Sequence, residues 1–146
     1  MALERKEYWD TRALHDFLLE REPVPFKWGV NDCCLFPADA ILAMTGTDIA
    51  KDFRGQYKTQ LQAFKRIKWL TSGETVADAV AYCANQFNLE EHTFPLMAKR
   101  GDLVVLDNGG ELIAGIVHLN GRHVISVSAN GLVRLPITTV TRSWSV

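Results

Sequence analysis

Residues 25–36 carry the strongest fold signal in the chain and read Pro25-Phe26-Lys27-Trp28-Gly29-Val30-Asn31-Asp32-Cys33-Cys34-Leu35-Phe36. The Trp28-Gly29 pair indicates a turn, and Asp32 is typical of a residue that caps a helix N-terminus. The free N–H groups and positive dipole end at such a terminus stabilise a thiolate and can hold an oxyanion. Cys33 is therefore either a nucleophile or the remnant of one.

Composition predicts an ordinary globular chain. The 146 residues are 47% hydrophobic and 23% charged, with a formal net charge of -1. We expect a single domain over residues 1–146. The charge balance argues against nucleic acid as a partner. Because no stretch approaches the ~20 apolar residues of a bilayer span, we expect no membrane span. The N-terminus has no secretory h-region, and three cysteines, two of them adjacent, favour folding in a reducing cytoplasm.

Helical periodicity dominates the first part of the chain, about residues 1–98. It predicts helices that begin at Asp10 or Thr11, at Asp32, at about Gln56 and at Ser72. The helix from Asp32 is expected to end at Gly46. The third helix, to Trp69, is expected to bury Tyr57, Leu61, Phe64 and Ile67.

From about residue 99 to residue 146 the hydrophobic period changes to that of strands. The predicted strands are Asp102–Asp107, Glu111–Leu119, Arg122–Ala129, Leu132–Ile137 and Arg142–Val146, and Asn-Gly or Gly-Gly pairs mark tight turns. Helices followed by a strand meander predict an α+β fold in which N-terminal helices pack on a C-terminal antiparallel sheet.

The nucleophile-like motif resembles that of the NlpC-type cell-wall cysteine peptidases. Their pattern Pro-Tyr-x-Trp-Gly-Gly-x-Asp-Cys-Ser-Gly-Phe is matched at Pro25, Trp28, Gly29, Asp32, Cys33 and Phe36. Gly101-Asp102 before a strand and Gly115-Ile116 in a hairpin are similar to two further family features. The resemblance implies a papain-like fold with a barrel-like sheet, and peptidoglycan stem peptide as the substrate of an active member.

The catalytic positions depart from the family pattern. By the resemblance, Ile113 stands where the family has its base and Ile125 where it has a third polar group. Phe26 stands where the family has a tyrosine. A thiol without a base in apolar surroundings has a raised pKa, and general-base assistance contributes roughly 10²–10⁴-fold to a rate. We therefore expect a degenerate peptidase site, shaped by Phe26, Trp28, Gly29 and Asp32.

Two histidines are candidate replacement bases. If Asn120-Gly121 forms a tight turn, His118 and His123 are cross-strand neighbours. Ile113 and His118 are separated by an odd number of residues, so they lie on opposite faces of the strand unless a bulge intervenes, which argues against His118 facing the thiol. The sheet face on which His123 lies depends on the turn. The pair is a weak metal signal, since no third ligand is nearby. We expect no metal and no cofactor.

A second resemblance covers nearly the whole chain. Thr45-Gly46-Thr47-Asp48, Arg54-Gly55-Gln56-Tyr57 and Trp144 are similar to a small group of proteins encoded in tail-gene modules of bacteriophages and prophages. It implies a degenerate NlpC-like tail component that binds other tail proteins and assembles into the virion. The alternative is an active cysteine hydrolase of peptidoglycan stem peptides with Cys33 as nucleophile and His123 or His118 as base. A third interpretation is a cytosolic binding module with a thiol sensor.

Overall fold

The structure, a computed structural model, describes residues 3–146 and is α+β, with helices in the first part of the chain and an antiparallel sheet in the second. The helices are α1 (His15–Arg21), α2 (Leu35–Thr45), α3 (Gln60–Thr71) and α4 (Val76–Gln86). The strands are β1 (Leu103–Asn108), β2 (Glu111–Val117), β3 (His123–Ser128), β4 (Gly131–Pro136) and β5 (Val140–Trp144). Among residues 3–146 every helix is too short or too polar to cross a bilayer.

Helix α2 begins where the sequence places a cap. Its N-cap position is Cys34, but the Asp32 carboxylate accepts the N–H groups of Cys34 and Leu35, and the Asp32 carbonyl accepts that of Phe36. Because the regular helix starts at Leu35, Pro37 lies in the first turn, where its missing N–H is not needed. Gly46 ends the helix at φ 80°, which confirms the predicted end.

The starts of α3 and α4 correct the sequence-based bounds. α3 begins at Gln60, four residues later than predicted, because Thr59 accepts the N–H of Gln62 as its cap. Ser72 does not open α4 and instead ends α3 in a left-handed conformation. A capping box between Thr75 and Asp78 starts α4, since each side chain accepts the other's backbone N–H.

The first helical segment and one burial assignment also differ from the predictions. Neither Asp10 nor Thr11 caps α1, because a π-helical turn, Trp9–Leu14, leads directly into it. The predicted burial of Leu61 is wrong, since this side chain is 66% exposed. It lies on the outer side of α3, whereas Ile67 is buried.

The sheet has the strand order β4-β3-β2-β1-β5, and each neighbouring pair is antiparallel. The first four predicted strands agree with it to within one or two residues at most ends. The last strand begins at Val140 because a 3-10 turn, Ile137–Thr139, separates it from β4, and a register shift interrupts its pairing with β1. α2 packs on β2 and β3, and α4 packs on β1 and β2.

Candidate functional site

The turn before α2 is held closed by its own backbone and by a glycine. Lys27 and Asn31 exchange two backbone hydrogen bonds across it, and Gly29 at its tip has a φ of 79°. A Cβ on Gly29 would overlap the carbonyl oxygen of Tyr57. The Trp28-Gly29 pair therefore lets the segment before α3 pass directly over this turn.

Replacing Gly29 with alanine is expected to lower the free energy of unfolding by about 2–3 kcal/mol, because strain at positive φ adds to the overlap with Tyr57. Gly55 is a matched control, since its φ is 77° but a Cβ there meets no atom within 4 Å. Gly55→Ala should lower the free energy by about 1 kcal/mol. Urea unfolding of both variants measures the difference, and equal losses would contradict the steric argument.

The Asp32 carboxylate is fully buried and accepts four hydrogen bonds. Oδ1 accepts the N–H groups of Cys34 at 3.0 Å and Leu35 at 2.9 Å. Oδ2 accepts the N–H of Gly29 at 2.9 Å and the hydroxyl of Tyr57 at 2.7 Å. Both oxygens are engaged with the turn, the helix start and the segment before α3, so Asp32 has a structural role.

Tyr57 is the partner of Asp32 that sequence reasoning did not identify. Burial, followed by the nearby Cys34 thiol and Asp32 carboxylate, raises the pKa of its hydroxyl far above the usual tyrosine range. Tyr57 therefore remains a neutral donor. The signal was present in the sequence as a tyrosine at the end of Arg54-Gly55-Gln56-Tyr57, but nothing local linked it to Asp32.

Cys33 lies at the start of α2, as predicted, and is 5% exposed. It lines a cavity of about 10 Å³, close to the smallest space that holds one water. The other lining residues are Trp28, Cys34, Phe53, Tyr57, Ala63, Phe64, Ile67 and Val76. None of them is an acid or an imidazole. The thiol therefore faces aromatic and aliphatic side chains, and a substrate carbonyl has no room beside it.

Two other thiols, those of Cys34 and Cys83, have raised pKa values. A hydrogen bond with Cys33, followed by burial and the charges around it, raises the pKa of Cys34 well above its usual range. Burial, followed by the charges of Asp52 and Asp48, raises the pKa of Cys83 to about 12. All three cysteines are free, so Cys33 and Cys34 form no vicinal disulfide.

These raised thiol pKa values predict a loss of stability in alkali. A group whose pKa is higher in the folded state keeps its full contribution below its unfolded pKa of about 8.5 and loses it as pH rises through the folded value. We expect the free energy of unfolding to fall above about pH 8.5. Cys83→Ala should remove about 1–2 kcal/mol of the fall measured by urea unfolding between pH 8 and pH 10. An unchanged fall in this variant would contradict the assignment to Cys83.

His118 and His123 lie together at the end of the β2–β3 hairpin, as predicted. The His118 N–H donates to the His123 carbonyl at 2.8 Å. The backbone N–H of Asn120 donates to Nδ1 of His118, and the side-chain amide of Asn120 contacts Nδ1 of His123. Burial, followed by the charge of Arg134, lowers the pKa of His118. This hairpin end does not line the cavity beside Cys33.

The remaining histidines are paired with carboxylates. His15 Nδ1 lies 3.3 Å from Asp16, and His92 Nε2 lies 2.9 Å from Asp102. Within residues 3–146 no hydrogen bond joins an imidazole to the Cys33 thiol. The structure therefore does not bring any of the four histidines to the nucleophile position.

Ile113 and Ile125, the positions where the resemblance implies a base and a third group, are both buried, at 2% and 3% exposure. Ile125 pairs with Ile116 across β2 and β3 and so lies on the same sheet face as Ile116. Ile113 is an odd step from Ile116 in an uninterrupted strand, so it lies on the opposite face. The two positions therefore do not converge on one site.

Phe26 and Trp28 shape the region before Cys33. Their rings meet edge to face, with centroids 5.0 Å apart. Trp28 also lines the small cavity of Cys33, and Phe26 packs against Trp28. Within the described part of the chain, no group of three or more His, Cys, Asp or Glu side chains is arranged to hold a metal ion.

Arg54 holds α2 to the loop that follows it. Its guanidinium makes two hydrogen bonds to Asp48, at 2.8 and 3.1 Å, and lies 2.8 Å from Asp39 of α2. Arg21 also binds Asp39, at 3.0 Å. The hydrogen bond from Arg54 is the main cause of the lowered pKa of Asp48. Arg54 and Asp48, two positions of the second resemblance, are thus part of one ion-pair network.

A profile described as "Domain of unknown function (DUF6950)" matches residues 4–146. The chain therefore belongs to this family. Neither the curated proteins nor the solved structures compared with the chain contain a match.

Proposed function

We propose that this member of the family is a papain-like, NlpC-type domain that has lost peptidase activity and serves as a protein-binding component of a bacteriophage or prophage tail. It would be made in the bacterial cytoplasm and assembled into the virion. The observation that best supports this proposal is the environment of Cys33. Its thiol is buried, and each of the four imidazoles has another partner.

The proposed architecture is supported by the placement of the cysteine. Cys33 precedes α2, and α2 packs on β2 and β3 of an antiparallel sheet. In a papain-like peptidase a thiolate at this position attacks the substrate, and a neighbouring imidazole moves the proton. Here the buried Cys33 thiol lines an apolar cavity and lacks the proton acceptor that this chemistry requires.

Loss of catalysis is tested with the purified protein. We expect thiol alkylation to be slow between pH 6 and pH 9, and Cys33→Ala to leave the initial rate unchanged. Peptidoglycan incubated with the protein should release no stem-peptide fragments detectable by mass spectrometry. Fragment release that disappears in Cys33→Ala would establish the alternative, a working cysteine hydrolase.

The tail assignment is tested in particles. For a phage that encodes a member of this family, mass spectrometry of purified virions and of isolated tails should detect the protein in a fixed ratio to the major tail protein. Deletion of its gene should leave particles with defective tails, and Cys33→Ala should restore them. Protein confined to the lysate supernatant would overturn the virion role.

A further inference from the structure

Within residues 3–146 one edge strand of the sheet is covered by another segment of the chain, and the other edge strand is not. The outer edge of β5 is covered, since His92 donates to the Ser143 carbonyl at 2.9 Å and Ser145 donates to the Glu90 carbonyl at 2.8 Å. At the other edge, β4 pairs with β3, and no second strand within residues 3–146 pairs with it. An uncovered strand edge presents backbone donors and acceptors to an incoming strand.

A groove runs along this uncovered edge. Two hollows of about 610 and 540 Å³ share Glu22 and Leu132, so they are adjacent. Leu18, Leu19 and Ile125 provide apolar surface in the larger hollow. Leu132 and Arg134 of β4 both line it and are two residues apart, as expected for side chains on one face of a strand.

Within residues 3–146 the opposite wall of the groove forms no strand pair with β4. It contains Pro23 and Pro25, which have no N–H to donate. The side-chain amide of Asn31 donates to the carbonyls of Val24 at 3.2 Å and Pro25 at 3.0 Å. Because these carbonyls are already engaged, this wall is fixed in place and leaves the ladder positions of β4 to another segment.

One arginine and two imidazoles line the larger hollow. Arg134 is exposed, and His118 and His15 line the same hollow. Glu22 is the one carboxylate among the lining residues of both hollows. The charge of Arg134 contributes to the lowered pKa of His118, so an anion placed between the two side chains would relieve that repulsion.

We propose that the free edge of β4 binds an extended segment of a partner protein by strand addition, with an acidic side chain of that segment against Arg134 and His118. Main-chain hydrogen bonds to β4 provide affinity, and the groove selects apolar and acidic side chains in alternation. The inference rests on the proposed protein-binding role and names its surface and the chemistry of its partner.

A second copy of this chain fits the edge less well than an acidic partner. An antiparallel β4–β4 pairing centred on residue 134 would place two Arg134 side chains directly opposite each other. Like charges close to each other across a strand pair are destabilising. The occupant we infer is therefore a different protein with carboxylates on one face of an extended segment.

The test uses the full chain and a defined probe, the capped peptide Ac-Ser-Val-Glu-Val-Glu-Val-Ser-NH2. Its controls are the Lys-for-Glu peptide and a version N-methylated at every Val and Glu, which has no N–H of these residues left to donate from either strand edge. Nitrogen-15 NMR titration should move the amides of residues 131–136 and 118–123. Arg134→Glu should weaken binding of the Glu peptide by about tenfold and strengthen binding of the Lys peptide.

Arg122→Glu is the matched protein control. Arg122 is an exposed cation beside the same hairpin but outside the lining of the groove, so its replacement should change either affinity by less than about twofold.

Four results would overturn the proposal: no saturable binding, binding unaffected by N-methylation, shifts confined to α3, or dimerisation of the free protein through β4. These results do not bear on the release of stem peptides or on the association of the protein with phage particles, and those two experiments test the proposed function separately.

Discussion

Replacing Asp32 with alanine is expected to lower the free energy of unfolding by about 3–5 kcal/mol, a large part of the 5–15 kcal/mol typical of a domain. The change leaves four donors without their acceptor: the buried N–H of Leu35 and hydroxyl of Tyr57, and the partly buried N–H groups of Gly29 and Cys34. It also removes the capping carboxylate of α2. Urea unfolding followed by circular dichroism measures the loss.

If Asp32→Ala does not fold, the free energy of unfolding can still be measured for two milder variants. Asp32→Asn retains one oxygen for Cys34 and Leu35, and we expect a loss of about 2–3 kcal/mol because Gly29 then faces an NH2 group. Tyr57→Phe removes one donor and should lower stability by about 1–2 kcal/mol.

Asp16→Ala is the exposed control for Asp32. The Asp16 side chain is 64% exposed, so a change below about 0.5 kcal/mol is expected. An Asp32→Ala variant as stable as Asp16→Ala would contradict the central role of Asp32.

The part of the site predicted from the sequence is the part encoded by neighbouring residues. Asp32 before Cys33 predicted a capped helix start, and Asn120-Gly121 predicted the hairpin that brings His118 to His123, because both signals act within a few residues. The start of α4 was missed although it is also local. Thr75 and Asp78 have the spacing of a capping box, but Ser72 was assigned as the start three residues earlier.

The contacts that fix the site could not be predicted, because they join distant parts of the chain. Tyr57 reaches Asp32 across 25 residues, and Arg54 reaches Asp39 between separate segments. The exposure of Leu61 has the same origin: its spacing fits a buried stripe, and only the packing of α3 determines which side of the helix faces the core.

Asp102 is the second position at which a large effect is expected, because its buried carboxylate ties together three distant segments. Oδ1 accepts from the Arg5 guanidinium at 3.2 Å and from the N–H of Val146 at 3.1 Å. Oδ2 accepts from the N–H of Lys99 and contacts His92 Nε2, both at 2.9 Å. Arg5 also donates to the carbonyls of Arg100 and Val146, so Asp102 and Arg5 together hold the end of the chain.

Asp102→Ala is therefore expected to lower the free energy of unfolding by about 3–4 kcal/mol, since it leaves a partly buried guanidinium, the buried N–H of Val146 and the partly buried N–H of Lys99 without their acceptor. Burial lowers the pKa of Arg5, and the charge of Asp102 acts against that shift. Amide hydrogen exchange should accelerate most at residues 91–100 and 143–146, since these segments lose a shared anchor.

Glu91→Gln is the control in the same region, because Glu91 and Arg142 form an exposed ion pair. Its loss should lower stability by less than about 1 kcal/mol and leave exchange at residue 146 unchanged. If Asp102→Ala and Glu91→Gln gave the same exchange pattern, the three segments would be held by packing around Trp144, which is 2% exposed, and the carboxylate would not be their anchor.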